Sequence, residues 1–193
     1  ERSRISPSSF WFSVVDGVLF NEEQNLLIAY PGGKSGEYTV PDCVSKISDG
    51  AFCGSVGLSG INFPETITQI PYEAFRDCSN LNTVNLPESI TLISDNAFYG
   101  CEALTEITIP DSVSKIGQFA FYSCSALDSI ILPDELWDLS SDAFGSTGYF
   151  NNKSNWDNGV LCIGSHLVYA EYNATECTIG SNVNHIAEGA FSG

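Results

Sequence analysis

Two histidines, seven cysteines and a recurring carboxylate are the residues of this chain whose chemistry could be put to work. His166 and His185 are its only imidazoles. Neither sits in an HExxH or GxSxG setting, and no P-loop or glycine-rich dinucleotide fingerprint occurs. Each therefore reads as an ordinary strand residue rather than a base or a ligand. Carboxylates are plentiful, but no pattern marks one as desolvated, as a general acid requires. The catalytic inventory is empty, and no cofactor or metal is expected.

The cysteines form no CxxC pair, which removes the zinc-ribbon and thioredoxin-like readings. Cys78, Cys101 and Cys124 recur every 23 residues, with Ser55 and Thr147 at the same place on either side. Small, weakly polar side chains at one repeated position read as core fillers, since a free thiol packs as a small hydrophobe. Neighbouring coils about 5 Å apart would also lie within disulfide reach, so bridges between adjacent cysteines stay open. So does a bridge between Cys162 and Cys177. Asp42, Glu65, Glu88, Asp111 and Asp134 each follow a proline. Pro-Asp is natural turn chemistry. Adjacent unit charges about 5 Å apart repel by about 0.8 kcal/mol even in bulk water, and a single file lacks the converging oxygens that Ca²⁺ prefers.

These residues are set out by a repeat, the feature to seek first in any chain. An Ala-Phe pair ends at Phe52, Phe75, Phe98, Phe121 and Phe144, a spacing of 23, and returns at Phe191 after 47. Units run Leu58 to Asn80, Leu81 to Ala103 and Leu104 to Ala126, with a divergent one from Leu127. In the unit Leu81 to Ala103, Leu81, Val84 and Leu86 make a strand with alternate side chains inward. Pro87-Glu88 breaks the ladder, since proline has no N–H to donate. Ile90 and Ile93 make a second inward edge, Ser94-Asp95 looks like an N-cap, and Ala97-Phe98 starts a short helical turn. One coil cannot bury its own apolar face, so coils must stack. In the unit from Leu127, Asp134-Glu135-Leu136-Trp137 stands where other units carry the Ile or Val edge.

Two stretches break the repeat. Asp16 to Phe20 with Leu27-Ile28-Ala29-Tyr30, and Asn158 to Cys162 with His166-Leu167-Val168-Tyr169, each read as a β-hairpin. The expected organisation is a leader over residues 1–9, then one solenoid over 10–193. Within it lie a hairpin (14–31), coils (36–149), a hairpin insertion (150–172) and a last coil (174–193). The fold class is an α/β, mostly β, right-handed repeat superhelix with two hairpin insertions.

The unit quoted from Leu104 to Cys124, L-x-x-I-x-I-P-x-x-[IV]-x-x-I-x-x-x-A-F-x-x-C, resembles the BspA-like (Treponema pallidum type) leucine-rich repeat. The resemblance covers residues 12–193. It implies a secreted or surface-anchored protein of oral or gut bacteria or of some protists, with roles in adhesion to host matrix proteins or in co-aggregation. It brings no catalytic residue, and a fold does not fix a ligand.

Composition agrees. Lys plus Arg number 7 against 24 Asp plus Glu, a net −17, which disfavours nucleic acid and anionic lipid as partners. No run approaches the ~18 apolar residues of a membrane span, so no membrane insertion is expected. The chain opens at Glu1 and holds no Met, which reads as a mature piece or fragment. A monomeric, extracellular or cell-surface module is expected. Its ligand would be a protein, a host matrix or other cell-surface protein, and the rival reading is a structural spacer within a larger surface protein. The expected ligand face is the outward side of the sheet: Asn62, Asn85, Thr108 and Ile131, beside Thr83, Glu106 and Ser129. Trp137 stands in a column otherwise made of Ser45, Thr68, Thr91 and Ser114. It is read either as an anchor at the end of that face or, preferably, as a structural ring capped by Tyr149 and Phe150.

Overall fold

In the computed structural model, residues 12–171 and 179–191 are described. The expected leader and Cys177 lie outside them. Along the chain, β1 (Phe12–Val15), β2 (Val18–Asn21) and β3 (Leu26–Ala29) form an antiparallel meander. Each of the next five coils carries a strand on each of two edges. They are β4 (Gly36–Thr39) with β5 (Lys46–Ile47), β6 (Leu58–Asn62) with β7 (Gln69–Ile70), β8 (Thr83–Asn85) with β9 (Leu92–Ile93), β10 (Glu106–Thr108) with β11 (Lys115–Ile116), and β12 (Ser129–Ile131) with β13 (Asp138–Leu139). A second meander, β14 (Trp156–Asp157), β15 (Val160–Ile163) and β16 (His166–Ala170), precedes β17 (His185–Ile186) of the last coil.

The 23-residue period becomes parallel register. Ile61 pairs with Val84, Ile70 with Ile93 and Ile116 with Leu139. The two edges thus build separate parallel sheets, β7-β9-β11-β13 on one side and β4-β6-β8 with β10-β12 on the other. Between them stand the Ala-Phe rings. Phe52, Phe75, Phe98, Phe121 and Phe144 are fully buried. Their centroids step by 4.6, 5.2, 5.1 and 5.2 Å, with planes within 18° of parallel. Tyr30 opens the stack, 5.0 Å from Phe52. Each coil buries its ring only because its neighbour supplies the other wall, the nearest-neighbour logic of solenoids.

Helix is scarcer than the sequence suggests. The Ala-Phe segments of the first four coils are hydrogen-bonded turns, and the Ser141–Phe144 3₁₀ turn and the four-residue α1 (Gly148–Asn151) mark the fifth. The reason is visible at the N-cap candidate: the Asp95 carboxylate accepts from the Gln118 N–H of the next coil at 2.9 Å, so it ties coils together instead of starting a helix. Leu136 keeps the Ile/Val column and is buried, so the fifth coil departs from its predecessors less than its sequence suggests.

The hairpins gain a strand and shift register. Asp16-Gly17 and Asn158-Gly159 are themselves tight turns, both residues of each having positive φ (51° and 84°, 49° and 80°). That is the geometry that suits strand twist in two-residue loops, and it adds β1 and β14 before the expected pairs. Both meanders carry the same bulge, but the loop before the third strand is two residues shorter in the second, so the counterpart of Leu27 is Leu167, not His166: Leu27 pairs with Phe20 and Ile47, Leu167 with Cys162 and Ile186. Ala170 therefore takes the place of Tyr30; their N–H groups donate to Ala190 and Ala51. Tyr169 instead packs on Phe150 and Trp156.

Candidate functional site

The outward columns of the first sheet come together in two groups. Asn62 stands beside Asn85 in register, and Asn85 Nδ2 donates to Asn62 Oδ1 at 2.7 Å. Glu106 pairs with Ser129 and Thr108 with Ile131. Thr83, Asn85, Glu106, Thr108 and Ser129 are exposed, and Ile131 is 58% exposed, unusual for a large aliphatic chain on a strand. Asn62 is half-buried.

The face is not one continuous sheet. β6 bonds to β8 and β10 to β12, but β8 and β10 are not paired. The gap opens a cleft of about 250 Å³ whose walls include Thr83, Asn85, Glu106 and Thr108, with Glu88 at its rim. Behind it the rings of Phe75 and Phe98 remain 5.2 Å apart, so the coils splay on the sheet side alone. The sequence gives no sign of this split, because each strand taken alone fits the repeat.

Trp137 does not belong to this face. It immediately precedes β13 and so lies by the second sheet. The expected cap is absent as well: Trp137 is 70% exposed and touches His185 edge-on at 4.6 Å. Phe150 turns away to Trp156, and the Tyr149 hydroxyl donates to the Cys162 carbonyl.

The cysteine column is a set of thiols buried in the core, not a set of bridges. Cys78, Cys101 and Cys124 are fully buried, and each Sγ donates to the Phe carbonyl of the coil before, at 3.0 to 3.2 Å. Burial pushes the Cys78 thiol up to about 12 and that of Cys101 well above its ordinary value. These are inert, protonated groups. The Pro-acid column is exposed throughout. No group of three or more His, Cys, Asp or Glu side chains among the described residues is placed to hold a metal.

A second cleft, of about 350 Å³, went unseen in the sequence. Asp95, Asp138, Asp142 and Glu188 line it with Lys115, whose Nζ pairs with Asp138 at 2.7 Å. It forms where the fifth coil meets the last one, and the 47-residue step hides that meeting from any reading by period.

With the parallel coils and the buried Phe and Cys columns in place, the comparison with known families is decisive. The family model for the BspA type leucine rich repeat region matches in six copies, over residues 45–153 and 91–193. The chain belongs to that family. Solved structures agree. The pneumococcal vaccine antigen PcpA is 31% identical, with a TM-score of 0.65 over 70% of this chain and 34% of its own. A T. pallidum leucine-rich-repeat protein is 27% identical, with a TM-score of 0.60 over 74% of this chain and 67% of its own. A leucine-rich cell surface protein of Faecalibacterium prausnitzii A2-165 is 27% identical, with a TM-score of 0.68 over 72% of this chain and 38% of its own. Alignment with this BspA-type chain thus spans about a third of the pneumococcal antigen. A comparison with curated proteins gave no match. Among the described residues no helix is long and apolar enough to cross a membrane.

Proposed function

We propose that this BspA-type module is a non-catalytic recognition element of the cell surface or extracellular space, and that it docks a protein through the outward face of its first sheet. The observation that carries the reading is the exposed, mostly uncharged ladder of Asn85, Thr108 and Ile131 flanking an open cleft. Repeat proteins use such regular faces for ligands, and three or four adjacent coils supply the roughly 800 Å² per partner of a standard interface. Ile131 would give apolar contact, while Thr83, Asn85, Glu106 and Thr108 would give hydrogen bonds. The surface location draws support from relatives described as a vaccine antigen and as a cell surface protein. Host matrix proteins are the first partners to try. One feature favours the spacer reading: Asn85 and Asn62 already spend a donor and an acceptor on each other.

The test is binding to a panel of immobilised extracellular-matrix proteins, by wild type and by a variant carrying Asn85→Arg, Thr108→Arg and Ile131→Arg. Wild type should bind at least one, and the triple variant should lose that binding while its stability falls by less than about 1 kcal/mol. Normal binding by the variant moves the site off this face, and no binding by either protein favours the spacer.

A further inference from the structure

The two histidines, remote in catalytic terms, meet at the joint where the fifth coil hands over to the second meander and the last coil. They are register partners on parallel β16 and β17, and their rings stack 5.0 Å apart at 20°. His166 is only 1% exposed. Its Nε2 lies 3.3 Å from the carbonyl oxygen of Leu136 in the fifth coil. A carbonyl can only accept, so Nε2 carries the proton of the neutral ring. His185 meets the same segment through the edge-on Trp137 ring. Other ties cross the joint, and apolar side chains from both sides, Leu139 and Phe144 with Leu167 and Ala187, belong to one buried cluster. Ser165 Oγ donates to Asp134 Oδ1 at 3.2 Å, the Glu188 N–H donates to Leu139, and the Ser141 N–H donates to Glu188. Among the described residues no ring continues the phenylalanine stack past Phe144 into the last coil.

We propose that this joint is an acid-operated hinge: the neutral His166 imidazole helps hold the last coil and second meander onto the fifth coil, and charging it in acid releases them while the preceding coils stay folded. A charged His166 ring would press face to face on His185 and lose solvation, with no carboxylate in direct contact. The ionisable groups facing His166 are His185 from the last coil, which opposes its protonation, and Asp134 from the fifth coil, which favours it. Asp134 is exposed and reaches the ring only by way of Ser165, so water screens its help. Burial is the largest influence and pulls the His166 imidazole below its ordinary value; His185 adds to the fall, against the opposing pull of the Leu136 and Ile163 carbonyls and Asp134. A group depressed in the folded state leaves stability intact above its unfolded value. As pH falls below about 6.5 the open form takes up protons first, so the closed joint weakens with acid.

Amide hydrogen exchange at about pH 7.5 and about pH 5, corrected for intrinsic exchange, reads this directly. Peptides covering 134–141, 165–171 and 183–190 should lose protection by roughly tenfold or more in acid, while 81–104 changes by less than about twofold. His185→Gln, at a half-buried position, should shrink the loss by removing the ring that opposes charge on His166. His166→Gln/His185→Gln, whose amide at 166 can still donate to Leu136, should remove it. Equal loss in the 81–104 stretch, no loss at the joint, or an unchanged loss in the double variant overturns the hinge; the last outcome would assign the acid response to Asp134 and Glu188.

Discussion

Each inward residue of a coil is held by the copy of itself one repeat away. Phe98 has Phe75 on one side and Phe121 on the other, both in parallel contact. Truncating it empties space between two walls that cannot close without moving whole coils. Phe98→Ala should therefore cost ~3–5 kcal/mol, read as a lowered denaturation midpoint with an unchanged slope. The thiol column makes a second prediction. Cys43 and Cys53 are exposed, while Cys78, Cys101 and Cys124 are sealed. Native alkylation should mark the first pair and spare the other three until unfolding. A thiol raised in the folded state adds stability that is fully present below its unfolded value of about 9 and fades as pH climbs toward 12. The denaturation midpoint should thus fall between about pH 9 and 10, and less in a variant with Cys78→Ala and Cys101→Ala; an unchanged fall would assign it to other groups. These columns were legible because strict recurrence leaves one inward position for each residue type. Trp137 and His166 were not, because they sit at the handover, where no neighbouring copy fixes the environment.

At the level of elements, the repeat announced the paired strands of every coil, but ties between coils were hidden. The Ser94-Asp95 pair looks local in sequence, yet its carboxylate bonds to Gln118 of the next coil. That tie needs room. A Cβ on Gly117 would fall on the Asp95 carboxylate and within 2.7 Å of the Asp95 backbone nitrogen. Gly117→Ala should then destabilise by ~1–3 kcal/mol through overpacking, whereas Gly33→Ala, with open space around it, should be neutral in the same melt. Equal effects would remove the inter-coil tie as the reason for glycine at 117. The meanders were half legible. Their apolar runs read as strands, but the Asp16-Gly17 and Asn158-Gly159 pairs at the head of those runs are turns. The loop before the third strand is two residues shorter in the second meander, so Leu167 and not His166 takes the place of Leu27. With period-two alternation an offset of one residue moves every side chain to the other face.

Across the whole molecule, charge sets what stacking must overcome. A net −17 is spread over the stacked coils, whose rings step by about 5 Å, while the Pro-acid turns of Glu88 and Asp111 flank the cleft where β8 and β10 part. Asp42, Glu65, Glu88, Asp111 and Asp134 are all exposed, and none has an ion-pair partner among the described residues. Repulsion along such a file is real but weak in water, and salt at physiological strength screens it beyond ~8 Å. The turn itself comes from proline and the buried Ile or Val two residues past the acid, so the carboxylate is free to change. Replacing Glu88 and Asp111 with Asn should leave the melting temperature unchanged or slightly raised at low salt, with the difference vanishing as salt rises. Millimolar Ca²⁺ should move wild type and variant alike by little, because the oxygens stand in a row with no cage of converging ligands. A large Ca²⁺-dependent rise in wild type that the double variant loses would show instead that the acidic edge is a cation site, and stacking would then be coupled to metal rather than merely opposed by charge.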